Sequence, residues 1–220
     1  MIMWYICGLV ILGIGASANE NQFCNENQES AYPKPLCYNA ACMTAIEEHI
    51  EHEFHAAFKY LYMGALFGQY VVERPGMTKF FLESASEERG HAIQMMDYLN
   101  MRGIMYAKNY TFGNEMLWKL SDQQIAAAEL KTLTIASALK EALEMELAVT
   151  KKIHEVVKSC ADDYHGADVF TNPILEEQHT GVRKLQGAIK TMDELLRGHS
   201  GEGLNFAEYI FDQKMFKGEL

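Results

Sequence analysis

From about residue 41 to the end of the chain, apolar residues recur every three or four positions, the period of one face of an α-helix. The first such stretch runs from about Ala41 to Gln69, with the stripe Ile46, Ile50, Ala57, Tyr60 and Ala65. Arg74-Pro75-Gly76 breaks it, and Pro75 is well placed at the start of a second helix, since proline suits the first helical turn. That helix buries Phe81, Met95, Tyr98 and Leu99 and ends at Arg102-Gly103, a C-terminal glycine signal. A long connection over roughly 104–120 leads to Ser121-x-x-Gln124, which reads as a capping box opening a third helix. The third helix continues to about Cys160 on Ile135, Leu139, Leu143, Val149, Ile153 and Val156. A fourth follows Asp162-Asp163-Tyr164-His165-Gly166 and shows Leu175, Val182, Leu185, Ile189 and Met192. The polar run Gly198–Gly203 precedes a short last helix, Leu204–Phe216. The expected fold is all-α: a four-helix bundle with a long crossover between the second and third helices and a short fifth helix. At 1.5 Å per residue the four long helices are rods of about 40 Å.

Each long helix carries a polar group on its apolar stripe. Glu53 interrupts the first, Glu146 the third and Gln178 the fourth. The second carries Glu88 and His91, three residues apart and so on one face, one turn apart. A carboxylate and an imidazole aimed at a core are costly unless neutralised, and a divalent metal is a natural partner. Glu-x-x-His is one of the ligand devices of di-iron bundles. Any one of these groups is ordinary as a boundary residue or a satisfied amide; one near the middle of every helix is a constellation. Glu176 and His179 repeat the Glu-x-x-His spacing, but Glu176 lies about 200° around the helix from Gln178, so this pair belongs to the surface.

The start of the chain has a different pattern. Residues 1–15 are almost wholly apolar and are followed by Ala16-Ser17-Ala18, a small-residue cleavage signal. The run is shorter than the ~20 residues of a membrane-spanning helix. Residues 1–18 therefore read as a secretory signal peptide, with an N-terminal anchor as the alternative. Residues 19–40 form a Cys- and Pro-bearing extension, and residues 41–220 the helical domain. Cys24, Cys37, Cys42 and Cys160 remain after cleavage; in an oxidising compartment they allow three intramolecular pairings as well as bridges between subunits. Asn109-Tyr110-Thr111 is an N-glycosylation sequon. A net charge of −11 argues against nucleic-acid binding and suits a surface that concentrates cations.

The chain resembles the ferritin heavy chains of the secreted invertebrate type. The resemblance rests on Glu51-His52-Glu53 through Tyr60-Leu61, Glu87-Glu88-Arg89-Gly90-His91-Ala92, Ala142-Leu143-Glu144-Met145-Glu146, Leu175-Glu176-Glu177-Gln178 and Ala207-Glu208-Tyr209-Ile210-Phe211-Asp212. It covers the chain from about Thr44 to Phe216. It implies a subunit of a 24-subunit cage that stores iron, alone or mixed with a light-chain-type subunit, with iron and O2 as the reactants. By position, Glu53, Glu88 and His91 are the implied ligands of a first iron, Glu88 bridging. Glu146 is implied to complete a second iron site with Gln178 beside it, and Tyr60 to orient a ligand carboxylate. Glu87 is the implied nucleation residue, because Gly90 and Ile93 stand where many family members have carboxylates. Asp168 matches one carboxylate of the family's three-fold channel, and Thr171 takes the place of the second. A storage subunit without an oxidation centre, a stand-alone di-iron oxidase of an organic substrate and a secreted four-helix signalling protein are the competing readings. The full set of six centre residues, the amide at Gln178 and the buried carboxylates respectively disfavour them.

Overall fold

The structure is a computed structural model that describes residues 38–104, 109–110, 113 and 134–219. The signal sequence, Cys24, Cys37 and Ser121-x-x-Gln124 lie outside the described residues. Asn109 of the sequon lies within them and is exposed.

Six α-helices account for nearly all the described chain: α1 (Ala40–Phe67), α2 (Pro75–Met101), α3 (Ile135–Ser159), the short α4 (Tyr164–Val169), α5 (Leu175–Leu196) and α6 (Glu202–Lys217). The helix α1 starts on Asn39, whose side-chain oxygen accepts from the N–H groups of Ala41 and Cys42 at 2.9 and 3.2 Å. Pro75 opens α2 as expected, but Arg74 gives no side-chain cap there. The cap comes from α6 instead: Asp212 Oδ1 accepts from Met77 N–H at 2.9 Å. That docking requires a glycine at position 76, where a Cβ would lie 2.0 Å from the Asp212 carbonyl oxygen. At the other end of α2, Gly103 has φ 75°, the left-handed conformation expected of it.

The start of the third helix differs from the sequence expectation. It lies at Ile135, after an extended Thr134 (φ −97°, ψ 143°) whose hydroxyl accepts from Ser137 N–H at 3.2 Å. Ile135 N–H donates to Glu208 Oε1 of α6 at 3.0 Å. An orphan amide at the helix start is thus satisfied by a residue remote in sequence, and this fixes the boundary well beyond Ser121-x-x-Gln124. The fourth helical run also starts earlier than expected, inside the polar segment that reads as a break. Asp163 caps α4 through Gly166 N–H at 3.1 Å, and a π turn over Phe170–Ile174 joins α4 to α5. Pro173 sits in that turn; its missing N–H and ring clash disfavour a regular α turn at this place.

The buried apolar residues form two clusters. One takes the first half of α1, the second halves of α2 and α3, and Phe170 and Ile174. The other takes the second half of α1, the first halves of α2 and α3, Leu185, Met192 and Phe211 of α6. The first cluster is fastened by a disulfide between Cys42 and Cys160, 118 residues apart. Beside it, Arg102 holds Asp163 through two hydrogen bonds of 2.9 and 2.8 Å, and Asp163 also accepts from Asn39 N–H at 3.0 Å. The waist between the clusters is polar. None of the described helices is long and apolar enough to cross a membrane.

Candidate metal centre

The polar intruders of the four stripes meet at this waist. Glu53 (α1), Glu88 (α2), Glu146 (α3) and Gln178 (α5) are all buried, with Glu53 at 0% exposure. Glu53, Glu88 and His91 each offer a donor atom, and these atoms lie within 4.8 Å of one another. His91 Nδ1 stands 3.9 Å from Glu53 Oε2 and 3.6 Å from Glu88 Oε2. These gaps are too wide for hydrogen bonds. Both oxygens of Glu53, Glu88 Oε2 and His91 Nδ1 are buried with no hydrogen-bond partner. Buried polar atoms are normally paired, and charged ones left unpaired cost several kcal/mol. Three of them, one from each residue, lie close enough together to hold a cation between them. Carboxylate oxygens with a single imidazole suit a first-row divalent ion.

Glu146 is held differently. It accepts from Tyr60 Oη on Oε1 and from Gln178 Nε2 on Oε2. Gln178 Nε2 also donates to the Glu146 main-chain oxygen at 3.1 Å. Tyr60 and Gln178 thereby set the angle at which Glu146 faces the other two carboxylates.

Electrostatics at the waist follow from burial. Burial, reinforced by the neighbouring Glu53, pushes the Glu88 carboxyl well above the usual carboxylate range. Glu53 stays below that range although burial alone would raise it, because Glu88 and the rings of His49 and His91 stand close to it. Burial opposes the charged form of His91, but Glu53 and Glu88 outweigh it and push its pKa up to about 11. Glu146 is raised by burial against the hydrogen bonds from Tyr60 and Gln178. Burial also raises Tyr60, and the Glu146 charge adds to it.

Comparison with known proteins gives the family. Residues 43–195 match the ferritin family, described as a ferritin-like domain. The chain belongs to the ferritin family. It is 33% identical to the ferritin heavy chain of Trichoplusia ni over 97% of this chain and 96% of that one. It is 30% identical to the ferritin heavy chain of Drosophila melanogaster over 96% and 98%. In structure it is similar to the Trichoplusia ni secreted ferritin, with a TM-score of 0.68, 33% identity, and coverage of 88% of this chain and 97% of that one. The all-α bundle read from the sequence is the ferritin fold.

On this ferritin scaffold, Glu53, Glu88 and His91 form one group of donor atoms, and Tyr60, Glu146 and Gln178 are joined to one another by hydrogen bonds. Glu87 is exposed and lines a groove between α2 and α5 with Glu83, Glu88, His91, Glu177 and Gln178. Asp168 is exposed on α4 and is not among the residues lining that groove. Glu176 and His179 are exposed, as their helical angle requires. The sequence reading gave no role to two side chains at the site. Glu177, 63% exposed, places Oε2 3.1 Å from His91 Nε2. It thereby orients the ring so that Nδ1 faces the carboxylates. His49 lies against Glu53. Its only signal in the sequence is the i, i+4 spacing to Glu53 on the buried face of α1.

Proposed function

We propose that this chain is the ferroxidase-type subunit of a secreted iron-storage ferritin. The observation that carries the reading is the convergence of Glu53, Glu88 and His91, each of which has a buried donor atom with no hydrogen-bond partner. In this reading Fe(II) is the substrate. Glu53, Glu88 and His91 take the first ion, with Glu88 bridging. Glu146 takes the second beside Gln178, with Tyr60 fixing its orientation. Hard oxygen donors favour Fe(III) over Fe(II), so the anionic waist stabilises the product more than the substrate. Two irons side by side deliver two electrons to O2 at once, and the overall reaction is 4 Fe(II) + O2 + 4 H+ → 4 Fe(III) + 2 H2O. The acidic groove between α2 and α5 gives ions access to the waist, and Glu87 on its wall is the nucleation residue for departing Fe(III). Asp168 belongs to an entry channel formed on assembly. Assembly is as a 24-subunit cage, alone or with a light-chain-type subunit, after entry into the secretory pathway.

The test is the initial rate of aerobic Fe(II) oxidation by the purified assembly, compared with a Glu88→Ala/His91→Ala variant shown by gel filtration to assemble. The wild type should show a fast phase and the variant should lack it. Equal rates would sink the reading and leave a storage subunit without an oxidation centre. A monomer-sized particle with the fast phase would leave a di-iron oxidase but not a cage.

A further inference from the structure

His49 is 1% exposed and stands one helical turn before Glu53 on the buried face of α1. Buried Ile46 precedes it on that face, the Phe170 ring stands edge-on to the imidazole with ring centroids 5.7 Å apart, and the His52 ring centroid is 6.0 Å away. An apolar side chain would fill such a place without desolvation cost, whereas an imidazole there needs partners for its nitrogens. Neither nitrogen has a hydrogen bond. Nε2 nevertheless lies 2.9 Å from Glu53 Oε1, a bonding distance at an angle that misses the line of the N–H.

The two oxygens of Glu53 therefore face opposite ways. Oε2 faces His91 and Oε1 faces His49. His49 is not one of the three residues whose donor atoms are mutually close, so it stands behind Glu53 rather than beside it as another ligand. When Oε2 carries a cation, Oε1 is left as a buried acceptor, and a donor must satisfy it or the carboxylate turns. A small rotation of the His49 ring aligns Nε2–H with that oxygen.

Resting on the reading of the waist as a metal centre, we propose that His49 is a positioning residue for Glu53. It donates from Nε2 to Oε1, so that Glu53 presents one fixed oxygen to the ion. Partners of this kind behind a metal ligand typically contribute about 10- to 100-fold in metal affinity.

The experiment is anaerobic titration of the assembled apoprotein with Co(II), read by calorimetry and by the visible absorption of the bound ion. It compares the wild type with His49→Leu, His49→Phe, His49→Gln and Glu53→Ala. Leu and Phe fill the apolar wall without donating, and having two of them guards against one that fails to fold. The Gln amide can reach the same oxygen. The first Co(II) should bind about 10- to 100-fold more weakly to the Leu and Phe variants, with an altered absorption band. His49→Gln should bind within about threefold of the wild type, and Glu53→Ala should lose the site. Wild-type affinity and spectrum in the Leu or Phe variant, with the site lost in Glu53→Ala, would overturn the role of His49 and leave the centre standing. So would equal weakening in the Gln and Leu variants, since packing rather than donation would then be the cause. Wild-type binding by Glu53→Ala would overturn the metal centre itself.

Discussion

Asp163, only 7% exposed, takes hydrogen bonds from Arg102, from Asn39 N–H and from Gly166 N–H, and so joins the end of α2 to the starts of α1 and α4. Burial alone would raise its pKa, but the hydrogen bonds from Arg102 and the two amides bring it below the usual aspartate value. A carboxyl whose folded pKa lies below its unfolded one stabilises the fold above the unfolded value, about 3.9. That contribution is lost as pH falls through the folded value. Asp163→Asn should therefore cost about 3–5 kcal/mol at neutral pH, as removal of one partner from a buried ion pair does. In urea titrations the gap between variant and wild type should narrow as pH falls below about 4. A gap that stays constant down to pH 2 would show that the charge contributes nothing. Side chains of this kind were only partly legible. Glu53, Glu88, Glu146 and Gln178 were visible because each interrupts an apolar stripe, and a polar residue on a buried face demands an account. His49 was not visible, because a histidine one turn from a glutamate on a helix is commonplace; what distinguishes it is that both nitrogens lack partners, which only the packed structure reveals. Glu177 sits on an exposed position and interrupts nothing.

The two glycines of α2 test what fixes a helix in place. At Gly90 an added Cβ meets nothing within 4 Å. Gly90→Ala should therefore stabilise the protein by about 0.4–1 kcal/mol by restricting the unfolded chain. At Gly76 the same methyl would lie 2.0 Å from the Asp212 carbonyl oxygen, and Gly76→Ala should cost about 1–3 kcal/mol by pushing α6 away. Thermal melts that shift in the same direction for both would contradict this account of the α2–α6 contact. Helical period alone places α1, α2 and the body of α3, because an amphipathic stripe is written in neighbouring residues. It does not place the start of α3. Ser121-x-x-Gln124 carries a capping signal as good as that of Thr134, but Thr134 has Glu208 against the first amide of the helix, 73 residues later in the chain. Nor does helical period place the π turn around Pro173.

Seen whole, the molecule has two apolar cores separated by a layer of carboxylates, with a disulfide fastening the outer end of one and α6 lying against the other. Cooperativity in a folded chain is carried by continuous packing, and at the waist that continuity is replaced by buried polar groups, several of their atoms without hydrogen-bond partners. Without bound metal the two halves should behave as separate folding units. Amides near Ile135–Ala142 should then exchange with solvent through openings that leave those near Val149–Cys160 closed. A divalent ion that binds the folded waist lowers its free energy by mass action and adds bonds linking α1 to α2. Once it is bound, the slowest-exchanging amides of both halves should converge on one opening energy in hydrogen-exchange measurements. Halves that stay unequal with metal bound would show that the ion fills the waist without coupling them. The layer that interrupts the core would on this account be the place where cargo sets mechanical unity: a subunit is two half-bundles when empty and one body when loaded.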